Sequence, residues 1–248
     1  MRVTVLGCQS PYPGPGGATP GYLIQTEQAN LLLDCGSGVI SQLGRYLPLY
    51  QLDAVVLSHY HHDHVADVGV LQYGLMVHQQ SGERSPVEPL PLYAPPEPAE
   101  KAREMTYRQA TKHLPIDDTA RATIVDMQLS FWRTDHAMPC YAVKIEAGGK
   151  TLVYGADSGP GTDWKPFAAG ADLFICEGTF LRRNKPQQPM GHLSVEEAAS
   201  LAQALSCKAL MITHLFPEYR EEEVREEAAG FTNGPCLVAK VGLQVQLS

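Results

Sequence analysis

The chain has 248 residues, of which 44% are hydrophobic, which is typical of a folded globular protein and excludes a disordered one. Its net charge of −8 disfavours nucleic-acid binding through a broad phosphate-neutralising surface. No apolar run approaches ~18 residues, so we expect no transmembrane helix and no membrane partner. The six cysteines form no C-x-x-C pair and the first residues do not resemble a signal peptide, so we expect reduced thiols and a cytoplasmic protein.

The first half of the chain predicts short strands followed by helices. Apolar runs bounded by turn residues predict strands over residues 3–8, 21–26, 30–35 and 52–58. Apolar spacing predicts helices over residues 38–47, 65–78 and 97–113. A Pro-rich connection between the last two helices contains one further short strand, PLYAP.

The second half of the chain predicts more strands and two helices. The strand-like segments are residues 122–136, 141–147, 150–157, 171–180, 208–215 and 235–247. Gly148-Gly149 predicts a tight hairpin, and the S-x-x-E box at Ser194 predicts the start of a helix that ends near Leu205. An acidic helix is predicted over residues 218–229. Because no linker divides this order, we predict one α/β domain over residues 1–248, with two mixed sheets packed face to face and helices outside.

One segment concentrates metal-ligand side chains directly after a buried strand. It reads Ser-His-Tyr-His-His-Asp-His over residues 58–64. His59 and His61 point to the same side of an extended chain and can share one metal ion. Asp63 and His64 follow where the chain turns into the next helix, which suits a second ion. Imidazole and carboxylate ligands favour Zn²⁺, with Mn²⁺ or Fe as alternatives.

The H-x-H-x-D-H motif resembles that of the metallo-β-lactamase fold hydrolases, whose fold is a four-layer αββα sandwich. That resemblance implies three more ligands at later strand ends, and the sequence offers them in order as His136, Asp157 and His214. It implies one ion held by His59, His61 and His136. It implies a second ion held by Asp63, His64 and His214, with Asp157 bridging the two. Asp34 resembles the aspartate that orients ligand histidines in this family.

Two further residues resemble the phosphodiesterase branch that includes ribonuclease Z. Glu177 stands in Cys-Glu-Gly-Thr, and His192 follows Gly191 just before the capped helix. By resemblance, Asp63, Glu177 and His192 are catalytic. A hydroxide that bridges two ions attacks phosphorus in line, and His192, oriented by Glu177, protonates the leaving oxygen as general acid or binds the phosphate.

The sequence also departs from ribonuclease Z. Only 20 residues lie between His136 and Asp157, which leaves no room for the tRNA-gripping arm of that enzyme. The chain therefore resembles bacterial phosphodiesterases that act on cyclic nucleotides or other small cyclic phosphates, and tRNA is a disfavoured substrate. A homodimer is implied by resemblance only. Three alternatives stay open: a lactonase or thioesterase on the same fold, a tRNA 3′-end endonuclease, and a binder of nucleotides or nucleic acid without activity.

Overall fold

The structure is a computed structural model that describes residues 1–229 and 234–247, and its strands form two seven-stranded sheets. The strands of the first sheet, in chain order, are β1 (Arg2–Gly7), β2 (Gly21–Gln25), β3 (Asn30–Leu33), β4 (Ala54–Val56), β5 (Leu90–Ala94), β6 (Thr111–Pro115) and β14 (Gln244–Gln246). The strands of the second sheet are β7 (Arg121–Ile124), β8 (Met127–Arg133), β9 (Tyr141–Ala147), β10 (Lys150–Tyr154), β11 (Leu173–Glu177), β12 (Leu210–Thr213) and β13 (Cys236–Val238).

Both sheets are mixed. In space the first sheet runs β14-β1-β2-β3-β4-β5-β6, antiparallel up to β3 and parallel from there. The second runs β13-β12-β11-β10-β9-β8-β7, parallel from β13 to β10 and antiparallel beyond. Gly148 and Gly149, with φ of 58° and 73°, form the predicted turn between β9 and β10.

Helices cover the outer face of each sheet. They are α1 (Val39–Leu43), α2 (His62–Val65), α3 (Val68–Gln80), α4 (Ala99–Glu104), α5 (Lys165–Ala168), α6 (Val195–Ala204) and α7 (Glu221–Ala229). Residues of α1, α3 and α4 pack on the first sheet, and residues of α5, α6 and α7 pack on the second. The predicted sandwich of two sheets between two helical layers is therefore confirmed.

The central core lies between the two sheets and follows from the alternation of side chains along each strand. In β3, Leu31 and Leu33 join the core between the sheets, whereas Leu32 packs under the helices on the other face. All three are fully buried. A strand buried on both faces must be apolar throughout, which explains the continuous apolar runs in the sequence.

Two predicted elements differ from the structure. The helix predicted over residues 97–113 ends at Glu104, and residues 111–115 instead form β6, which pairs in parallel with β5. The strand predicted over residues 235–247 is two short strands in different sheets, separated by a turn at Gly242 with φ of 88°. In both cases the gain comes from hydrogen bonding to a neighbouring strand that is remote in sequence, which local patterns do not reveal.

The sheets place several polar side chains at one edge of the sandwich. Residues at or just after the carboxyl ends of five strands lie there: Asp34, His59, Asp157, Glu177 and His214. The five strands, β3, β4, β10, β11 and β12, all take part in parallel pairs, and the carboxyl ends of parallel strands are where α/β folds display functional groups. The candidate site is built on this edge.

The six cysteines are all free, and four of them are buried. None of the helices in the described ranges reaches the length and apolarity that crossing a bilayer requires.

Candidate active site

Four ligand atoms converge in a first cluster, which consists of His59, His61, His136 and Asp157. The Nδ1 atom of His61 lies 3.0 Å from Nε2 of His59 and 3.0 Å from Nε2 of His136. Oδ2 of Asp157 lies 3.4 Å from Nε2 of His59 and 3.6 Å from Nε2 of His136. Nitrogen ligands at about 2.0–2.1 Å from one tetrahedral zinc ion are about 3.3 Å apart, so these separations match a metal site.

A second cluster stands beside the first and consists of Asp63, His64 and His214. The Nε2 atoms of the two histidines are 3.3 Å apart. Oδ2 of Asp63 lies 3.4 Å from Nε2 of His214 and 3.8 Å from Nε2 of His64. The predicted turn into a helix is present, because Asp63 and His64 belong to α2 whereas His59 and His61 precede it.

Asp157 faces both clusters with different oxygen atoms. Its Oδ2 points to the first cluster, and its Oδ1 lies 3.2 Å from Nε2 of His64 and 3.2 Å from Nε2 of His214. The side chain is 2% exposed, and Oδ1 has no hydrogen-bond partner among the described residues. Burying a carboxylate oxygen without a hydrogen bond costs free energy unless a cation binds that oxygen. The donor set therefore fits metal binding at this buried carboxylate.

The protein orients four of the imidazoles through their other nitrogen atom. Each of these imidazoles donates a hydrogen bond from its Nδ1–H group. The acceptor is Ser58 Oγ for His59, Asp34 Oδ2 for His64, the Gly191 carbonyl for His136 and Thr179 Oγ1 for His214. Such bonds fix the tautomer and leave the Nε2 lone pair free as a metal ligand. His61 is the exception, because it presents Nδ1 to the first cluster.

The carboxylates of the site attract positive charge. Burial lowers the pKa of His64, but Asp157 and Asp34 outweigh burial and raise that pKa well above its ordinary value, so a metal ion at the second cluster would displace a proton from His64. Burial, with the charge of His64, lowers the pKa of His59 to about 3, and burial also lowers the pKa of His61 and His136. These imidazoles are therefore neutral at pH 7 and can donate a lone pair. Burial alone raises the pKa of Asp157, but the neighbouring histidines outweigh burial and hold that pKa well below its ordinary value.

Glu177 and His192 form a pair at the rim of the two clusters. Nδ1 of His192 donates to Oε1 of Glu177 over 2.9 Å, so Nε2 is the atom left for a substrate. The His192 ring stacks on that of His214 with centroids 5.3 Å apart, and it contacts the ring of His136 at 5.0 Å. Burial lowers the pKa of His192, yet the hydrogen bond and charge of Glu177 outweigh burial and raise that pKa to about 9. His192 can thus carry a proton at neutral pH.

Asp34 lies under the site as the sequence predicted, and it has more partners than the sequence revealed. It is fully buried and accepts hydrogen bonds from the Ser58 N–H, the Ser58 hydroxyl, the His64 imidazole and the Tyr154 hydroxyl. Tyr154 reaches it over 2.6 Å from a strand 120 residues away. No local sequence signal marks Tyr154, because its role depends on the packing of one sheet on the other.

Two more residues of the site escaped the sequence analysis as ligand-positioning groups. Ser10, in the first loop, donates to Oδ2 of Asp63 over 2.8 Å. Thr179 accepts from His214 over 2.8 Å and donates to Oε2 of Glu177 over 2.5 Å. Thr179 belongs to the Cys-Glu-Gly-Thr segment noted in the sequence. Residues two apart on an extended chain point to the same side, so this spacing was the available sign that Thr179 lies beside Glu177.

The chain is similar in sequence to known proteins over nearly all of its length. A model of the β-lactamase superfamily domain matches residues 29–215. A protein of Bacillus subtilis named "Probable metallo-hydrolase YhfI" is 38% identical over 242 residues, which is 98% of each chain. A ribonuclease Z of Mycobacterium bovis is 29% identical and is matched over 92% of each chain.

The fold is also similar to solved structures. The crystal structure of YhfI from Bacillus subtilis superposes with a TM-score of 0.93 at 36% identity, over 98% of each chain. The crystal structure of a diphosphatase of the PhnP family gives a TM-score of 0.76 at 18% identity, over 100% of this chain and 98% of that one. The second likeness is one of fold alone.

Proposed function

The chain belongs to the β-lactamase superfamily and is a metal-dependent hydrolase, and from this premise we propose that it is a phosphodiesterase that acts on small or cyclic phosphodiesters, such as cyclic nucleotides. The observation that carries the proposal is the Glu177–His192 pair beside a buried carboxylate that faces two ligand clusters. A lactone or thioester hydrolase has use for the clusters but no need of a proton donor held this way.

The proposed metal ligands are the seven residues named from the sequence. His59, His61 and His136 would hold one divalent ion. Asp63, His64 and His214 would hold a second ion, and Asp157 would contribute to both sites. Zn²⁺ is favoured because nitrogen donors predominate, with Mn²⁺ or Fe as alternatives. When bound, two such ions polarise the phosphate and lower the pKa of a water molecule to near neutrality.

The chain's own side chains supply positioning and proton transfer. His192, held at Nδ1 by Glu177, presents Nε2–H to the leaving oxygen of the substrate and protonates it as the phosphorus–oxygen bond breaks. Asp63, the third proposed catalytic residue, is fixed by the Ser10 hydroxyl at the edge of the second cluster, with 11% of its side chain exposed. That exposure lets its carboxylate orient the attacking water.

The preference for a small substrate rests on the surroundings of the site. The hairpin of β9 and β10 takes up the chain between His136 and Asp157, so no arm projects from it. The cationic side chains of the neighbouring loop are each paired with a carboxylate. Arg182 pairs with Glu196, Arg183 with Glu223, and Lys185 with Glu197. An RNA backbone would have to compete with these carboxylates for the three cations, which lowers the net positive charge that this loop offers.

A substrate panel on the purified protein, loaded with Zn²⁺ or Mn²⁺, tests the proposal. We expect turnover of 3′,5′-cyclic AMP and bis(p-nitrophenyl) phosphate to monoesters, with far lower rates on lactones, thioesters and pre-tRNA. If a lactone or thioester is turned over faster than every phosphodiester, the proposed phosphodiesterase activity is wrong and the chain is a lactonase or thioesterase. The absence of any turnover together with tight nucleotide binding would favour the non-enzymatic alternative.

The remaining expectations from the sequence belong to the same proposal. They are a single domain over residues 1–248, a cytoplasmic location, a homodimer, and the absence of a membrane or nucleic-acid partner. Sedimentation of the purified protein tests the oligomeric state directly.

A further inference from the structure

A cavity of about 220 Å³ is lined in part by His192. Its wall combines apolar and polar side chains, most of which belong to the loop between β11 and α6. Its apolar lining residues are Pro160, Phe180, Pro186, Pro189 and Met190, and its uncharged polar ones include Gln187 and Gln188. Its volume is below the ~300–1,000 Å³ of a drug-sized pocket, so it suits a single ring system.

The position of His192 tells which part of a substrate would enter this cavity. His192 lines the cavity and also contacts the rings of His136 and His214. A proton donor must lie within hydrogen-bond reach of the oxygen that it protonates. The group attached to the leaving oxygen therefore continues past His192 into the cavity, while the phosphate stays at the two clusters.

Phe180 forms a rigid wall next to His192. Its N–H donates to the Leu193 carbonyl over 3.2 Å, and its carbonyl accepts from the Val195 N–H over 2.8 Å. These bonds fix the backbone of Phe180 to the start of α6. Its ring is perpendicular to that of His192, with centroids 6.2 Å apart. A fixed aromatic ring is suited to contact with a planar group.

The charged residues at the cavity neutralise each other. Nζ of Lys185 lies 2.6 Å from Oε1 of Glu197, and Glu197 also closes the capping box of α6 with Ser194. The Glu197 carboxylate adjoins Lys185, which makes the outer part of the cavity less attractive to a second anionic group. Met190, in contrast, is 62% exposed, and a flexible thioether at the mouth can adapt to a planar ligand.

We propose that this cavity, the Phe180 pocket, binds a planar uncharged ring of nucleobase size that the substrate carries on the side of its leaving oxygen. The assignment rests on the proposed function, because it takes the phosphate to be at the clusters and the leaving oxygen at His192. It names the substrate class more narrowly: a phosphodiester of a nucleoside, not of a simple sugar or alkyl alcohol.

Ligand binding to the Zn²⁺-loaded protein tests the pocket without any need for turnover. Isothermal titration calorimetry compares AMP with ribose 5-phosphate, which has the same phosphate ester but no base. Stacking of a base on an aromatic side chain contributes ~1–3 kcal/mol, so we expect AMP to bind roughly tenfold more tightly. Phe180→Ala should lose most of that tenfold while changing the affinity for ribose 5-phosphate by less than about twofold.

Two further variants keep the test decisive. Met190→Ala changes an exposed side chain that the fold does not need, and it should weaken AMP binding but not ribose 5-phosphate binding. Tyr73→Ala removes an exposed aromatic side chain of α3 that does not line the pocket, and it should change neither. Equal affinities for the two ligands, or equal losses for both in Phe180→Ala and Met190→Ala, would overturn the assignment.

The binding experiment and the substrate panel fail separately. A protein that hydrolyses bis(p-nitrophenyl) phosphate but binds AMP no better than ribose 5-phosphate is a phosphodiesterase without this pocket function. If AMP binds more tightly than ribose 5-phosphate and Phe180→Ala removes that difference, the pocket assignment holds. If the same protein hydrolyses no phosphodiester, the proposed activity is wrong.

Discussion

Glu177 is a buried carboxylate that accepts four hydrogen bonds and connects the proposed proton donor with a proposed metal ligand. Its Oε1 accepts from His192 and from the Ser158 N–H, and its Oε2 accepts from Thr179 and from the Leu193 N–H. Through the Thr179 hydroxyl the same carboxylate orients His214. A change at Glu177 therefore reaches both the proton donor and the second cluster, which a pairwise view of Glu177 and His192 would miss.

Replacement of His192 by alanine should abolish proton donation and leave the metal ligands in place. We expect His192→Ala to lower kcat roughly 10²–10⁴-fold on a cyclic nucleotide, because a positioned general acid contributes that factor. The loss should be smaller on bis(p-nitrophenyl) phosphate, whose leaving group needs little protonation. Elemental analysis provides the control, since the variant should keep the metal content of the wild type. Equal losses on both substrates would instead assign phosphate binding to His192.

The pH dependence of activity should report the state of His192. Glu177 raises its pKa to about 9 in spite of burial, so the proton required for catalysis is present at neutral pH and is lost as the pH rises. We expect kcat/KM to fall on the alkaline side, and we expect Glu177→Gln to move that fall to lower pH because the carboxylate that raises the pKa is gone. An alkaline limb that Glu177→Gln leaves in place would exclude His192 as its source.

Short loops at strand ends determine the geometry of the site at the scale of elements. His192 stands two residues before Ser194, the N-cap of α6, and the capping box of that helix holds this segment. Ser194 accepts from the Glu197 N–H, and the Glu197 carboxylate accepts from the Ser194 N–H. The helix start and the proposed proton donor are therefore one structural unit.

Loss of this cap should affect both stability and activity. Ser194→Ala removes the side-chain acceptor at the helix start, which typically costs about 1 kcal/mol of the free energy of unfolding. We expect a fall in kcat as well, because the backbone that carries His192 loses an anchor. Denaturant unfolding and steady-state kinetics measure the two effects. Ser194→Thr, which keeps the hydroxyl, is the matched control and should retain more stability and a higher kcat than Ser194→Ala. A Ser194→Ala variant with the stability of the wild type would contradict the assignment of the cap.

The elements that the sequence predicted well are those with strong local signals. Leu31, Leu32 and Leu33 form a continuous apolar run, and β3 is buried along that run. Gly148 and Gly149 both have positive φ and form a hairpin turn. The helix predicted over residues 97–113 included the first three residues of β6. Pairing with β5 decided otherwise, and that pairing joins residues about 20 positions apart.

At the scale of the whole molecule, the sequence identified the family because the motif residues are chemically distinctive and close together. The β-lactamase superfamily match and the similarity to YhfI confirm that resemblance. The roles assigned to individual ligand residues stay predictions. What the sequence could not provide were contacts between distant segments, such as Tyr154 with Asp34 and Ser10 with Asp63, because these exist only once the sheets pack.

Metal removal should destabilise the whole fold. Ions that bind only the folded state add stability by mass action, about 2.7 kcal/mol per site when free metal is at 100 times its Kd. We expect chelation to lower Tm and Zn²⁺ to restore it. Asp157→Asn should reduce this metal-dependent shift, because the bridging carboxylate is lost.

Asp172→Ala is the control for that shift. Asp172 pairs with Lys208 outside the clusters, so its variant should keep the full response to metal even if its own Tm is lower. Elemental analysis with no more than trace metal after incubation with Zn²⁺ or Mn²⁺ would refute the proposed ligand set.

Competition between a cyclic nucleotide and pre-tRNA tests the substrate preference of the whole molecule. Two divalent ions at the clusters would make the site locally positive, and a small phosphodiester can use that charge alone. A long polyanion must also meet an exterior with a net charge of −8. The acidic helix α7 adds to this, since Glu227 lies against the loop next to the Phe180 pocket and accepts there from a backbone N–H and not from a cation. We expect kcat/KM for 3′,5′-cyclic AMP to exceed that for pre-tRNA at moderate salt, because counterion release contributes little affinity to an acidic surface. Accurate cleavage of pre-tRNA at its 3′ end, with a kcat/KM above that of every small diester, would make the chain a tRNA nuclease that works without an arm.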